Sequence, residues 1–262
     1  MTTTETHRPT AMTAAQLLEM LKLSQSSDSV ELKLTVPDAD RRATVKALEI
    51  DPLGARIRQT VFFDTPDLEL NQHGVVVRAR RTQGKGDDSV VKLRPVVPTE
   101  LPGKLRKADD FKVEVDAMPG GFVCSGSYKG TLGPDAVKPV LAGDQPVSSL
   151  FSKPQRAFFA EHAPAGISLD DLAVLGPITT MKVKFQPTGF SRDLVGELWM
   201  YPDGSHIVEL STKCTPKEAI DVAAETKAFL ESRGVNLQGE QQTKTKAALE
   251  FFVRELRPNE PT

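Results

Sequence analysis

Short runs of strict alternation dominate the chain. In residues 29–36, SVELKLTV, Val30, Leu32, Leu34 and Val36 fall on one side, and Ser29, Glu31, Lys33 and Thr35 on the other. A period of two is the pattern of a strand with one apolar face. It also predicts strands over 56–64, 74–81, 89–95 and 111–117, and a second group over 181–186, 194–201 and 206–213. QGKGDD joins 74–81 to 89–95, and PDG at 202–204 separates the last two strands; both are turn-forming sequences. Helical spacing of Leu and Met predicts a helix over 13–23, a short one follows over 39–49 from near Asp38, and Leu150, Phe151, Phe158 and Phe159 place an amphipathic helix over 147–163. Thr215, Pro216 and Glu218 form a capping box opening a helix that Gly234 closes. A last helix is predicted over 239–256, with Leu249, Phe252 and Leu256 on one stripe. Residues 1–11 read as a disordered tail, and MPGG at 118–121 opens a long irregular stretch.

The charges follow the same alternation. One face carries Glu31 and Lys33 on the first strand, then Arg78 and Arg80, Lys92 and Arg94, Lys112, Glu114 and Asp116, Lys182 and Lys184, and finally Glu209, Ser211 and Lys213. The opposite faces are mostly aliphatic or aromatic. An antiparallel sheet with one wet face accounts for such alternation by itself. Here, however, basic residues pair at i, i+2 on several strands, and neighbouring like charges repel unless an anion lies between them. A phosphate chain is such an anion, and Arg and Lys are the usual groups that hold one. Carboxylates mixed into the set suit a hard divalent cation with oxygen ligands.

Bulk properties narrow the alternatives. The chain has 262 residues, 39% hydrophobic and 26% charged, with a net charge of −2. That is enough chain for a real core, and no global field draws it to nucleic acid or an anionic membrane. Cys124 and Cys214 lie too far apart for a zinc pattern or a disulfide framework and read as small buried side chains. There is no leader-like segment and no span of about 18 apolar residues, so a cytoplasmic location is expected. GxxxxGK[ST], GxGxxG and HExxH are absent, CSGS at 124–127 lacks the nucleophile-elbow spacing, and His7, His73, His162 and His206 are scattered. With 12 Phe against one Trp and two Tyr, the aromatics read as core filling and not as a base-stacking platform.

The ordered segments SVELK at 29–33, FFDTPDLELNQHGVVVRARR at 62–81, VVKLR at 90–94, KVEVD at 112–116, MKVKF at 181–185, GELWMYPDG at 196–204 and VELSTK at 208–213 resemble the CYTH domain of the triphosphate tunnel metalloenzyme superfamily. That family includes inorganic triphosphatases, thiamine triphosphatases and class IV adenylyl cyclases. The resemblance implies an α+β fold: a closed eight-stranded antiparallel β-barrel, or tunnel, with flanking helices. It would span 25–256, with a helical insertion around 119–180, after a tail and short helix over 1–24 and before a tail over 257–262. By position, Lys33, Arg78, Arg80, Lys92, Arg94, Lys182 and Lys184 would grip the phosphates. Glu31, Glu114, Asp116, Glu197 and Glu209 would hold Mg²⁺ or Mn²⁺, with Lys33 and Glu31 as the catalytic pair. The implied partner is a triphosphate-containing small molecule or polyphosphate, and the implied reaction is metal-dependent hydrolysis of a phosphoanhydride. The alternatives are a non-catalytic polyphosphate- or nucleotide-binding module and a class IV adenylyl cyclase. Three positions depart from the family pattern: Ser29 stands for the first Glu of ExExK, Trp199 for an Asp, and Ser211 for the second acid of the last strand.

Overall fold

The computed structural model describes residues 13–239, 241 and 244–256. Among them, nine strands close into one barrel: β1 (Ser29–Val36), β2 (Arg56–Asp64), β3 (Val75–Thr82), β4 (Asp88–Leu93), β5 (Phe111–Met118), β6 (Gly121–Thr131), β7 (Ala173–Phe185), β8 (Leu194–Met200) and β9 (His206–Cys214). Around the ring the order is β1, β5, β6, β4, β3, β2, β7, β8, β9 and back to β1. Every pairing is antiparallel except β1 with β5, which runs parallel from Ser29 opposite Glu114 to Leu32 opposite Ala117. The expected eight-stranded antiparallel ring is therefore a nine-stranded mixed one.

The extra strand is β6, inside the segment read as irregular. Its Gly and Ser residues hide it in the sequence, and they are required by close approach. A side-chain carbon at Gly126 would lie 2.7 Å from the Phe111 ring, and one at Gly130 would lie 2.5 Å from the Gln155 amide oxygen. Glycine in a strand often marks such an approach. Strand β7 also starts at Ala173, ahead of the predicted 181. The 119–180 segment thus contributes wall to the barrel as well as helices.

The helices are α1 (Ala14–Gln25), α2 (Arg41–Ala47), α3 (Glu69–Gln72), α4 (Gly103–Arg106), α5 (Val137–Leu141), α6 (Lys153–His162), α7 (Ala219–Ser232) and α8 (Lys244–Leu256). The helix predicted over 147–163 is broken into a 3₁₀ turn, Val147–Leu150, and α6. Ser152 and Gln155 form a capping box there, with Pro154 in the first turn, so the chain restarts instead of continuing. The capping box at Thr215 and Glu218 is present and leads through a 3₁₀ turn, Pro216–Glu218, into α7; Gly234, at φ +72°, follows the helix end. The predicted tail over 1–11 lies outside the described residues, as do 257–262 and the Leu256 side chain. Leu249 and Phe252 of the predicted stripe are buried.

The apolar faces of the strands point outward, beneath the helices. Val77, Val91, Phe111, Val113 and Val115 pack with Val137 and Val140 of α5 and Phe158 and Phe159 of α6. Leu34, Leu194 and Leu210 pack with Leu48 and with Leu230 of α7. Asp64 fixes the turn from β2 into α3: its buried carboxylate accepts from the backbone N–H of Thr65, Leu70 and Asn71 at 2.7, 2.9 and 3.0 Å. This turn delivers the chain into β3 and its arginines. No helix among the described residues is long and apolar enough to cross a membrane.

Candidate functional site in the barrel bore

With the apolar faces turned out, the charged faces turn in. The proof is contact across strands: Arg94, the residue after β4, reaches Asp116 on β5 at 2.7 Å, past the intervening β6. Lys33 on β1 bonds the same carboxylate at 3.0 Å and Glu31 at 3.2 Å, and Lys92 approaches Asp116 at 4.0 Å. On the other wall, Lys182 meets Glu197 at 2.9 Å, Arg58 lies 3.9 Å from it, and Arg80 makes a two-pronged bond to Asp88 at 2.9 and 3.1 Å. Arg78 lies between these groups, and its Nε is buried without a hydrogen-bond partner among the described residues.

The two ends of the bore differ. At one end α8 lies across the opening. Its Ala248, Leu249, Phe251 and Phe252 pack on Phe62, Ile178, Trp199 and Tyr201, with Val76 and Ile207 alongside. From the first turn of α8, Lys244 reaches inward to Glu197 at 2.5 Å and Glu209 at 2.7 Å. The strand directions put Lys112, Lys129, Lys184 and Lys213 at the opposite end. There Glu114 is shared by Lys213 and by Lys129, the latter at 3.7 Å. Lys184 is 66% exposed and pairs with Asp193 at 2.7 Å, so the structure puts it on the rim and not with the central cations.

The electrostatics follow from crowding. Burial, with Arg80 beside it, pulls the Arg78 guanidinium down to about 10. Burial, reinforced by Arg94, Lys33 and Arg78 and opposed by Asp116, pulls the Lys92 ammonium down to about 8. Burial alone would raise the Asp116 carboxyl; Lys33, Lys92 and Arg94 outweigh it and hold the group at about 2. Lys33 moves the other way from Lys92: burial lowers it, but Asp116, Glu31 and Glu209 outweigh that and raise it. Glu197 is likewise pushed well below the usual carboxylate range, with Lys244 and Lys182 overcoming burial. The bore therefore has a surplus of cations, some of them held in the charged state at a cost.

No family model and no curated protein matches the chain. Among solved structures, a Hippeastrum protein assigned as an adenylyl cyclase and found to have a dominant triphosphatase activity aligns with a TM-score of 0.64 at 16% identity, over 84% of this chain and 95% of its own. A Bacillus halodurans protein assigned as an adenylate cyclase aligns at 0.59 and 14% identity, over 84% of this chain and 97% of its own. The fold is the CYTH, or triphosphate-tunnel, fold. In this CYTH barrel Glu31, Lys33, Arg78, Arg80, Lys92, Arg94, Asp116, Lys182, Glu197 and Glu209 share the bore, whereas Lys184 and Glu114 belong to the rim.

The carboxylates do not assemble. Among the described residues no three acidic, His or Cys side chains gather as a metal-binding group. Glu31 is bonded by Lys33, Asp116 by Lys33 and Arg94, Glu114 by Lys213, and Glu197 and Glu209 by Lys244. The donor set expected for Mg²⁺ or Mn²⁺ is thus dispersed among ammonium and guanidinium groups and does not fit a preformed divalent site. The three departures explain part of this. Ser29 and Ser211 offer no charge, and Trp199 has joined the packing under α8, its ring stacked on Phe62 and its N–H donating to Glu197 at 3.3 Å.

Two bore cations escaped the sequence reading. Arg58, with Arg56, is a basic i, i+2 pair on a predicted strand, so the criterion that found Arg78 and Arg80 covers it. Lys244 had no such signal: a lysine opening an amphipathic helix looks like any solvated residue, and only the placement of α8 brings it to Glu197 and Glu209.

Proposed function

We propose that the chain binds the phosphate chain of a triphosphate compound or polyphosphate within its bore, entering by the lysine-rimmed mouth. The observation that carries this reading is Arg78, whose buried Nε has no hydrogen-bond partner among the described residues and which lies beside Arg58, Arg80 and Lys92. A buried donor left without an acceptor is costly, and a phosphate oxygen supplies one. Arg58, Arg78 and Lys92 would contact the phosphate oxygens directly. Arg80, Arg94, Lys33 and Lys182, each tied to a carboxylate, would set the field behind them. Lys184, Lys129, Lys112 and Lys213 would draw the anion in.

A second reading, hydrolysis of a phosphoanhydride, is favoured by the fold shared with a protein of dominant triphosphatase activity. The paired state of Glu31, Asp116, Glu197 and Glu209 gives it no preformed metal centre. Where a divalent ion takes part, it enters with the phosphate chain, as Mg²⁺ commonly does. Calorimetric titration with tripolyphosphate, in EDTA and in Mn²⁺, tests the binding; phosphate release from tripolyphosphate and ATP tests turnover. Arg78→Ala is expected to lose about 1.5–3 kcal/mol of tripolyphosphate affinity, the worth of a charged hydrogen bond. Wild-type protein with no measurable tripolyphosphate binding would end the reading.

A further inference from the structure

The carboxylates of β8 and β9 have already been given a cation by the chain itself. Glu197 and Glu209 stand opposite each other in register, side chains in the bore. Between them lies the Lys244 ammonium, only 10% exposed, 2.5 Å from Glu197 Oε2 and 2.7 Å from Glu209 Oε1. The other oxygen of Glu197 receives Lys182 at 2.9 Å, with Arg58 beyond it at 3.9 Å. The bore-facing neighbours along these strands are Val195, Trp199, Ile207 and Ser211, so these two strands supply no third acid, and water would complete the oxygen shell of a divalent ion held between Glu197 and Glu209. Mg²⁺ and Mn²⁺ need several hard oxygen ligands. Here every approach to Glu197 is taken by an N–H donor. The ammonium is also locked in place, over the Trp199 ring at 5.1 Å and on a helix anchored by Leu249, Phe251 and Phe252. A tethered cation competes at a high effective concentration against one free in solution.

We propose that Lys244, carried into the bore by α8, is the built-in counter-ion of Glu197 and Glu209, so that this end of the tunnel takes an ammonium where a divalent metal ion would otherwise bind. The α8 helix is then a functional part of the site, and Lys244 together with Lys182 balances the two carboxylates before any ligand arrives. The proposal concerns the two carboxylates and is separable from the phosphate reading. Failure of tripolyphosphate binding leaves it intact, whereas Mn²⁺ uptake at Glu209 overturns it alone.

The test is a Mn²⁺ titration of the full chain without phosphate, followed by the electron paramagnetic resonance signal of free Mn²⁺ and by Tm. The wild type is expected to take up no stoichiometric Mn²⁺ and to keep its Tm. Lys244→Met is expected to gain one Mn²⁺, with a Tm that rises on adding the ion, and to lose both when Glu209→Gln is added. Lys244→Arg keeps a cation in place and is expected to behave as wild type. Stoichiometric uptake by the wild type that Glu209→Gln removes overturns the proposal, and so does a folded Lys244→Met chain that binds none. Should Lys244→Met fail to fold, the wild-type and Glu209→Gln titrations decide by themselves.

Discussion

At the scale of single residues, the bore is governed by the balance between Asp116 and the cations around it. Its carboxylate, 2% exposed, is shared by Lys33, Arg94 and Lys92. Asp116→Asn leaves those cations facing one another and is expected to cost about 3 kcal/mol of stability, the lower end for breaking a buried ion pair. Tripolyphosphate is expected to raise the Tm of this variant more than that of the wild type, since the ligand replaces the lost anion; thermal melts with and without ligand check both. Lys92 supplies a pH dependence. Its folded value of about 8 lies below the ordinary 10.5, so between these limits the unfolded chain holds a proton that the folded chain has released. Stability from this group therefore rises with pH across that window. Polyanion affinity runs the other way, because only the charged form attracts phosphate. Tripolyphosphate affinity is expected to fall as pH passes about 8, and Lys92→Arg, which stays charged, is expected to flatten that fall.

At the scale of elements, α6 shows how one polar side chain fixes a helix on the barrel. Gln155, fully buried, donates to the carbonyls of Ser89 and Tyr128 at 3.2 Å each and accepts from the Ser152 backbone at 3.0 Å. Gln155→Ala strands two buried carbonyls and is expected to cost about 1–3 kcal/mol, read as a lower midpoint in urea unfolding. The same elements show what the sequence makes legible. Strands such as β1, β3 and β5 are visible because one face must be apolar for the helices and the other charged for the bore, and that demand writes a period of two into the residues. Strand β6 is invisible because Phe111 and Gln155 press so close that Gly126 and Gly130 replace the side chains a pattern needs. The shared face of Arg78 with Arg80 and of Lys92 with Arg94 is legible as basic i, i+2 pairs, and that of Lys33 with Glu31 as the alternation of β1. The pairing of Glu197 and Glu209 with Lys244 is not legible, because it joins residues far apart in sequence through the docking of a helix, which no local pattern encodes.

At the scale of the whole molecule, the end of the bore opposite α8 is the candidate entrance. The rim lysines Lys112, Lys129, Lys184 and Lys213 surround that entrance on a chain whose overall charge is only −2. Attraction exerted by exposed charges decays over roughly 10 Å at 0.1 M salt. The association rate of tripolyphosphate is therefore expected to fall with ionic strength, more steeply than the dissociation rate rises, in stopped-flow measurements. Lys184→Glu is expected to slow association while leaving Arg78 and its neighbours undisturbed. The ring closure has a further consequence for synthesis. Strand β1 is gripped on one side by β5 and on the other by β9, where Val30 lies opposite Cys214. A nascent chain emerging from the ribosome thus exposes an unpaired β1 edge until nearly its whole length has been made. Unpaired edges recruit other strands, and late, distant pairing slows folding. Chains interrupted before β9 should be the ones that clump and call for chaperones, whereas the completed ring has no free border to offer.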